Sequence, residues 1–176
     1  TGKTDRSGFS NRFIKAVNKI PTKYIIYIQE DMWLTRKLDK DLIDELVRFM
    51  DNNNVDSIKI HTRLFYWDSY MLEPTEFFIK NLRLLKQINN EGSSILSHGA
   101  TIWRKDYLVS HQLEGEDPWT NEVEGSKRML DGNHYMYNIH WHCQPGVAVN
   151  GMMSDEQINA LHVTYEMLTM KLKYKL

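Results

Sequence analysis

The sequence predicts an α/β fold in which helices flank a mostly parallel sheet. The segment Tyr24–Gln29 is aromatic or β-branched up to its last position, which is typical of a strand buried on both faces in a parallel sheet. Helical patterns stand on either side of it, over Asn11–Lys19 and Asp39–Met50. A second strand pattern, Val55–His61, follows the second helix. Strands that alternate with helices in this way favour parallel pairing.

Length and composition indicate one globular domain spanning residues 1–176. The chain has 176 residues, of which 41% are apolar and 26% charged, as in an ordinary globular protein. Its net charge of −1 supplies no field that would recruit nucleic acid. Cys143 is the single cysteine, so no intrachain disulfide forms, and no apolar run reaches the length of a transmembrane helix. We therefore expect a cytoplasmic protein without a transmembrane segment; the sequence leaves its oligomeric state open.

The first helix is predicted to begin after Ser10, a good N-cap residue, and to end before Pro21. The buried strand follows directly, so the chain opens on a helix–strand unit that lacks a preceding strand. A parallel strand needs a neighbour. We therefore expect a partner strand upstream of Thr1, which makes the domain incomplete at its N-terminus.

The rest of the chain continues the alternation. Apolar residues at Leu42, Leu46 and Met50 recur every four positions and define one face of the second helix. Further strands are predicted at Phe77–Ile79, Leu82–Gln87, Ser94–Trp103, His134–Cys143 and Gly146–Val149. Further helices are predicted at Lys105–His111, at Asn121–Leu130 with Asn121 as its cap, and from Ser154 onward.

Two adjacent acids, Glu30 and Asp31, follow the buried strand. In open α/β sheets, ligands bind beyond the carboxyl ends of the strands. Because successive residues leaving a strand point to opposite faces, we expect one carboxylate to bind a cation and the other to accept a hydrogen bond from a ligand hydroxyl. Carboxylate oxygens suit Mg²⁺ or Mn²⁺. The alternative is that the two acids simply begin a polar loop.

A second candidate site spans Glu116–Glu122. Trp119 offers a flat apolar face on which a sugar ring can stack, Pro118 fixes the entry to the following helix, and Glu122 is predicted to lie in the first turn of that helix. Glu122 could act as a general base on a hydroxyl nucleophile. The alternative is that an acid in the first turn only complements the helix dipole.

The segment His140-Trp141-His142-Cys143 places two histidines on the same face of a predicted strand. A structural zinc ion needs four ligands, and the chain has no second cysteine, so zinc is disfavoured. Histidines that hydrogen-bond to neighbouring carbonyls are the alternative.

Five segments in this order resemble a group of small GT-A fold nucleotide-sugar glycosyltransferases of bacteria and large DNA viruses. The resemblance covers residues 8–130. Its segments are Gly8-Phe9-Ser10-Asn11-Arg12, Tyr24–Asp31, Ile102-Trp103-Arg104-Lys105, Gly115-Glu116-Asp117-Pro118-Trp119 through Glu122, and Glu124-Gly125-Ser126-Lys127-Arg128.

The resemblance implies a GT-A-like, Rossmann-like fold and the transfer of a hexose from a nucleotide-diphosphate donor, UDP-sugar above all, to a carbohydrate acceptor. It implies that Asp31 binds Mn²⁺ or Mg²⁺ on the diphosphate and that Glu30 lies near the ribose. Glu122 matches the acid of a Trp-X-X-Glu pattern, and so becomes the base of an inverting displacement. Thr120 and Asn121 depart from the family pattern, which has an acid and an aromatic residue there.

The family also suggests that His140 or His142 completes the shell of the metal. Trp119 and Trp103 are the tryptophans expected to contact the bound donor or acceptor. The sugar, the acceptor and the linkage remain open.

Two other functions stay open at this point. One is a non-catalytic carbohydrate-binding or scaffold domain. The other is a metal-dependent phosphoesterase that uses Glu30, Asp31 and Glu122.

Overall fold

A computed structural model of the chain describes residues 8–29, 33–34, 38–60, 72–91, 93–137 and 143–144. The helices are α1 (Phe9–Asn18), α2 (Lys40–Asn52), α3 (Lys105–Ser110) and α4 (Pro118–Arg128). The strands are β1 (Tyr24–Tyr27), β2 (Trp33–Leu34), β3 (Ser57–Lys59), β4 (Leu72–Ile79), β5 (Leu82–Gln87), β6 (Thr101–Arg104), β7 (His134–Tyr137) and β8 (Cys143–Gln144).

The main sheet is mixed and mostly antiparallel, so the predicted parallel sheet is wrong. Its strand order is β1-β6-β3-β7-β5-β4, and only the pair β3–β7 is parallel. Strand β6 runs antiparallel between β1 and β3, and β4 and β5 form a hairpin around Lys80, whose φ is 51°. Alternating strands and helices are compatible with either strand direction, because the path of each connection sets that direction. Strands β2 and β8 pair antiparallel in a separate sheet.

Strand β1 also differs from its prediction. It covers only Tyr24–Tyr27, and Ile25 is buried while the other three residues are half-buried. Its partner is β6, which lies later in the chain. Strand β1 thus has a partner within the chain, and the strand expected upstream of Thr1 stays a prediction. Aromatic and β-branched residues suit any strand with a packed face, so their presence does not specify parallel pairing.

Helices cover both faces of the sheet. On one face α2 contributes Leu42, Leu46 and Met50, as the periodicity predicts, to a core that also contains Ile58 and Ile102. On the other face α1, α3 and α4 enclose a second core. Its buried members are Phe13, Val17, Ile25, Ile95, Leu96, Trp103, Leu108 and Met129. No helix in the described ranges is long and apolar enough to cross a membrane.

Aspartate side chains cap the starts of α2 and α4. Asp39 accepts a hydrogen bond from the Leu42 amide at 3.2 Å and caps α2. Asp117 caps α4, with Pro118 at the first helical position, so the predicted start at Asn121 is wrong. The strand predicted over Ser94–Trp103 is shorter, because its regular pairing begins only at Thr101. The strand at 146–149 and the helix from residue 154 lie outside the described residues.

His134 is a buried, neutral histidine at the start of β7. Its Nδ1 lies 2.8 Å from the Ser57 hydroxyl and its Nε2 lies 3.0 Å from the Met129 carbonyl oxygen. Burial lowers the pKa of His134 from 6.5 to about 4. Neutral imidazole with Nε2–H donating to Met129 and Nδ1 accepting from Ser57 satisfies both contacts.

We expect His134 to make folding sensitive to acid. In the unfolded chain His134 binds a proton near pH 6.5, whereas in the folded chain it does so only near pH 4. The contribution of neutral His134 to the free energy of unfolding is therefore complete above pH 6.5 and is lost as the pH falls from 6.5 to about 4. One such group contributes a slope of at most about 1.4 kcal/mol per pH unit. Urea unfolding of wild type and of His134→Asn between pH 4 and pH 6.5 measures the slope of the unfolding free energy against pH for each protein. Equal slopes for the two proteins would contradict the assignment.

Candidate functional site

Three strands of the main sheet end at the same edge. Strands β1 and β3 both run antiparallel to β6 and therefore point in the same direction, and β7 is parallel to β3. Near their carboxyl ends, Tyr27 and Lys59 both pair with Thr101, and Lys59 also pairs with Met136. Paired residues share a face. We call these four residues the edge row.

The segment Ser93–Ala100 lies against the edge row. The Ile60 amide donates to the Ala100 carbonyl at 2.9 Å, and the Thr101 hydroxyl donates to the Gly99 carbonyl at 3.0 Å. The Lys59 ammonium donates to the Ser94 carbonyl. The chain before β6 is thus hydrogen-bonded along the edge at which β1, β3 and β7 end.

An aromatic cluster joins helix α1 to the end of β1. The ring of His98 lies 5.2 Å from Phe9, 6.4 Å from Phe13 and 5.7 Å from Tyr27, in edge-to-face arrangements. His98 is buried, with a left-handed φ of 45°. The cluster fixes the position of α1 relative to the edge row.

Helix α4 is attached to the same segment. The Leu96 amide donates to the Ser126 hydroxyl at 2.9 Å. A Cβ at Gly125 would lie 2.5 Å from Leu96 Cδ2, so glycine is needed where the helix crosses this segment. The edge row and α4 therefore belong to one packed unit.

Glu116 and Asp117 hold the start of α4 in place. Glu116 forms a two-pronged ion pair with Arg128, with both N–O distances at 2.9 Å, and its Oε2 accepts from Asn121 at 2.7 Å. The Asp117 carboxylate accepts from the Thr120 hydroxyl at 2.6 Å and from two backbone amides. These bonds, the Thr120 hydroxyl first, lower the pKa of Asp117.

Thr120 and Asn121, which depart from the family pattern, both make hydrogen bonds that hold the helix start in place. Thr120 bonds to the cap residue Asp117. Asn121 is fully buried and also donates to Gln112 Oε1 at 2.9 Å. Ser10, predicted as a helix cap, lies inside α1, where its hydroxyl accepts from the Glu116 amide at 2.9 Å. The Ser10 bond joins α1 to the start of α4, whereas the Thr120 bond stays within that helix start and the Asn121 bond reaches the segment after α3.

Glu122 lies in the second turn of α4 and is half-buried. The prediction placed it in the first turn, but the helix begins at Pro118, and no acid lies in its first turn. The interaction of an acid with the helix dipole fades beyond that turn. The alternative, in which Glu122 only complements the helix dipole, is therefore weakened.

The two candidate tryptophans lie in different environments. Trp119 is 53% exposed on α4, one turn before the exposed Val123. Trp103 is 1% exposed and packs in the second core, with its ring 6.2 Å from that of His134. A buried indole has no face on which a sugar can stack, so only Trp119 has the exposure that this role needs.

The predicted metal ligands Glu30, Asp31, His140 and His142 lie outside the described residues. Within the described part of the chain, no group of three or more His, Cys, Asp or Glu side chains could hold a metal ion. Mn²⁺ or Mg²⁺ binding thus stays a prediction.

Sequence reasoning missed Lys59 and Arg128. Lys59 stands between Ile58 and Ile60, an alternation that normally indicates a solvent-facing lysine, yet β3 is buried on both faces. Arg128, in the last turn of α4, pairs with an acid twelve residues earlier. The sequence around β3, Val55-Asp56-Ser57-Ile58-Lys59-Ile60-His61, carries no signal for this burial.

No model of a known protein family matches the sequence, and no curated protein matches it.

We expect the Glu116–Arg128 pair to stabilise the fold. Arg128→Met leaves a carboxylate that is only 11% exposed without its cation, and should lower the free energy of unfolding by about 2–3 kcal/mol. Lys127→Met is the matched control, because its partner Glu124 is 48% exposed and such surface pairs contribute about 0–1 kcal/mol. Denaturant unfolding of both variants tests this. Equal losses of unfolding free energy in the two variants would mean that the buried ion pair stabilises the fold no more than the exposed one.

Proposed function

We propose that this chain is a metal-dependent glycosyltransferase that moves a sugar from a nucleotide-diphosphate donor, a UDP-sugar, to a hydroxyl of a carbohydrate acceptor with inversion. The observation that carries the proposal is the shared edge of β1, β3 and β7, packed with the helix that bears Trp119 and Glu122. Ligand sites commonly lie beyond the carboxyl ends of such strands. In the sequence, Glu30-Asp31 follows β1 by three residues.

The donor set suits a hard cation. Asp31 would bind Mn²⁺ or Mg²⁺, Glu30 would accept a hydrogen bond from the ribose, and His140 or His142 would complete the shell. A cation held by these residues would supply positive charge next to the leaving diphosphate. Carboxylate oxygen is the ligand that these cations prefer.

Glu122 supplies the base in this proposal. Its carboxylate takes the proton of the acceptor hydroxyl as the oxygen forms a bond to the anomeric carbon. The bond from that carbon to the diphosphate oxygen breaks, and the nucleoside diphosphate leaves with the electron pair. Trp119 stacks on the acceptor ring and orients its hydroxyl. Glu122 is the acid of this helix that stands at the Trp-X-X-Glu position, which the family resemblance assigns to the base.

We expect Glu122→Gln to lower kcat about a hundredfold or more, because a general base acts in the transition state. Donor affinity should change little, since the carboxylate faces the acceptor. Glu124→Gln, a change in the same helix at an exposed ion pair, is the control and should retain its rate. The measurement is kcat at saturating donor and acceptor. A near-normal kcat for Glu122→Gln would remove this residue from the mechanism.

We expect Asp31→Asn to abolish Mn²⁺-dependent binding of UDP without unfolding the chain, because a neutral amide offsets the dehydration of the cation poorly. Calorimetry with Mn²⁺ and with EDTA measures the metal-dependent part. Asp41→Asn changes an exposed acid on α2 and should leave binding intact. Unchanged Mn²⁺-dependent affinity in Asp31→Asn would contradict the metal assignment.

Donor hydrolysis without acceptor distinguishes the remaining alternatives. A scaffold domain would bind carbohydrate without turnover of UDP-sugar. A phosphoesterase would cleave simple phosphodiesters, which a transferase leaves intact.

A further inference from the structure

The hairpin of β4 and β5 lies at one side of the main sheet and presents an exposed aromatic ring. Strand β4 is the last in the order β1-β6-β3-β7-β5-β4. Phe78 is 55% exposed, whereas its neighbours on the strand, Phe77 and Ile79, pack in the core that α2 covers. Successive residues of a strand face opposite sides. Phe78 therefore lies on the face of the hairpin that is turned away from that core.

Two side chains of opposite charge flank Phe78 on this face. Arg83 pairs with Phe78 across the hairpin, and its guanidinium carbon lies 4.9 Å from the centre of the ring. Glu76 stands two positions before Phe78 on β4, and it is exposed like Phe78, with half-buried Phe77 between them. In the part of the chain that the structure describes, neither Glu76 nor Arg83 forms an ion pair or a side-chain hydrogen bond.

The hairpin is held firmly against the rest of the fold. Its turn is tied to α2, since the Lys80 ammonium lies 2.7 Å from the carboxylate of the cap residue Asp39. On the neighbouring strand β7, the Tyr137 hydroxyl donates to the Ile79 carbonyl at 2.9 Å. A surface that is already ordered loses little conformational entropy when it binds a partner. The exposed face of the hairpin is thus suited to a specific contact.

We propose that this face of the hairpin binds a second copy of the chain about a two-fold axis beside Phe78. Two positions along the strand place Glu76 about 7 Å from Phe78, and direct cross-strand pairing places Arg83 about 5 Å from it. These two directions are roughly perpendicular and the distances are similar. One two-fold axis therefore brings Glu76 of each copy onto Arg83 of the other and places the two Phe78 rings together. Such an interface requires a self-complementary surface, which the acid, the ring and the arginine supply.

Arginine is suited to this contact because a guanidinium that stacks on an aromatic ring still directs its N–H groups outward in its own plane. Arg83 can therefore keep its contact with Phe78 and donate to a carboxylate of the second chain. The net charge of −1 leaves little long-range repulsion between two copies.

The contact is made by the face of the hairpin and not by pairing of β4 with another strand. Pro74 lacks an N–H, and a bulge between Pro74 and Phe78 interrupts the strand, so its edge is a poor template for strand addition. A two-stranded face of this length, roughly 25 Å by 10 Å, is smaller than the about 800 Å² per partner that stable interfaces bury. We therefore expect a reversible dimer with a Kd on the order of micromolar or weaker.

Sedimentation velocity of the 176-residue chain, at concentrations from about 10 μM to about 1 mM, tests the proposal. Glu76→Arg and Arg83→Glu each bring like charges together at two symmetric places, and each should weaken association about tenfold or more. The double variant exchanges the two charges and makes them opposite again, so it should dimerise within about a fewfold of wild type. Misfolding of a single variant cannot produce this rescue.

Phe78→Ser should also weaken association about tenfold or more, because it removes the central aromatic contact. Leu82→Ser is its matched control, since Leu82 is 41% exposed in the same hairpin but pairs with buried Ile79 and so lies on the opposite face. Glu114→Arg makes the same charge change as Glu76→Arg at an exposed site outside the hairpin. Both controls should dimerise like wild type. A wild-type chain that stays monomeric at every concentration, single charge variants that dimerise normally, or a double variant without rescue would each overturn the proposal.

Discussion

Strand β6 lies between β1 and β3 and pairs antiparallel with both, and the geometry of the candidate site depends on this arrangement. Two strands that flank a common antiparallel neighbour must point the same way. Their carboxyl ends therefore meet at one edge although neither strand touches the other. The same strand carries Trp103 into the second core, so the pairing that aligns the edge also anchors the helical layer above it.

The polar residues of the α4 region divide into two groups. Arg128 and Asn121 both donate to Glu116 in a mostly buried network, and Asp117 caps the helix. Such a network keeps its geometry because breaking one of its hydrogen bonds would leave a buried polar or charged group without its partner. Trp119 projects from the same helix and is exposed. A rigid helix start that presents an exposed aromatic ring is suited to orienting a ligand.

Charge is placed unevenly around the edge row. A buried lysine lies in the row, and the acids Glu30 and Asp31 follow β1 in the sequence. His134, at the start of β7, is held neutral by burial.

The sequence by itself determined the local features. The apolar face of α2 and the hairpin strand β5 were predicted closely, because periodicity and turn residues act over a few positions. Strand direction, the burial of Lys59 and Trp103, and the pairing of Arg128 with Glu116 were decided only by the tertiary structure. Each depends on which distant segments meet, such as β6 with β1 across more than seventy residues. The type of a side chain indicates whether its position suits a packed surface, but it does not indicate which helix or strand packs against it.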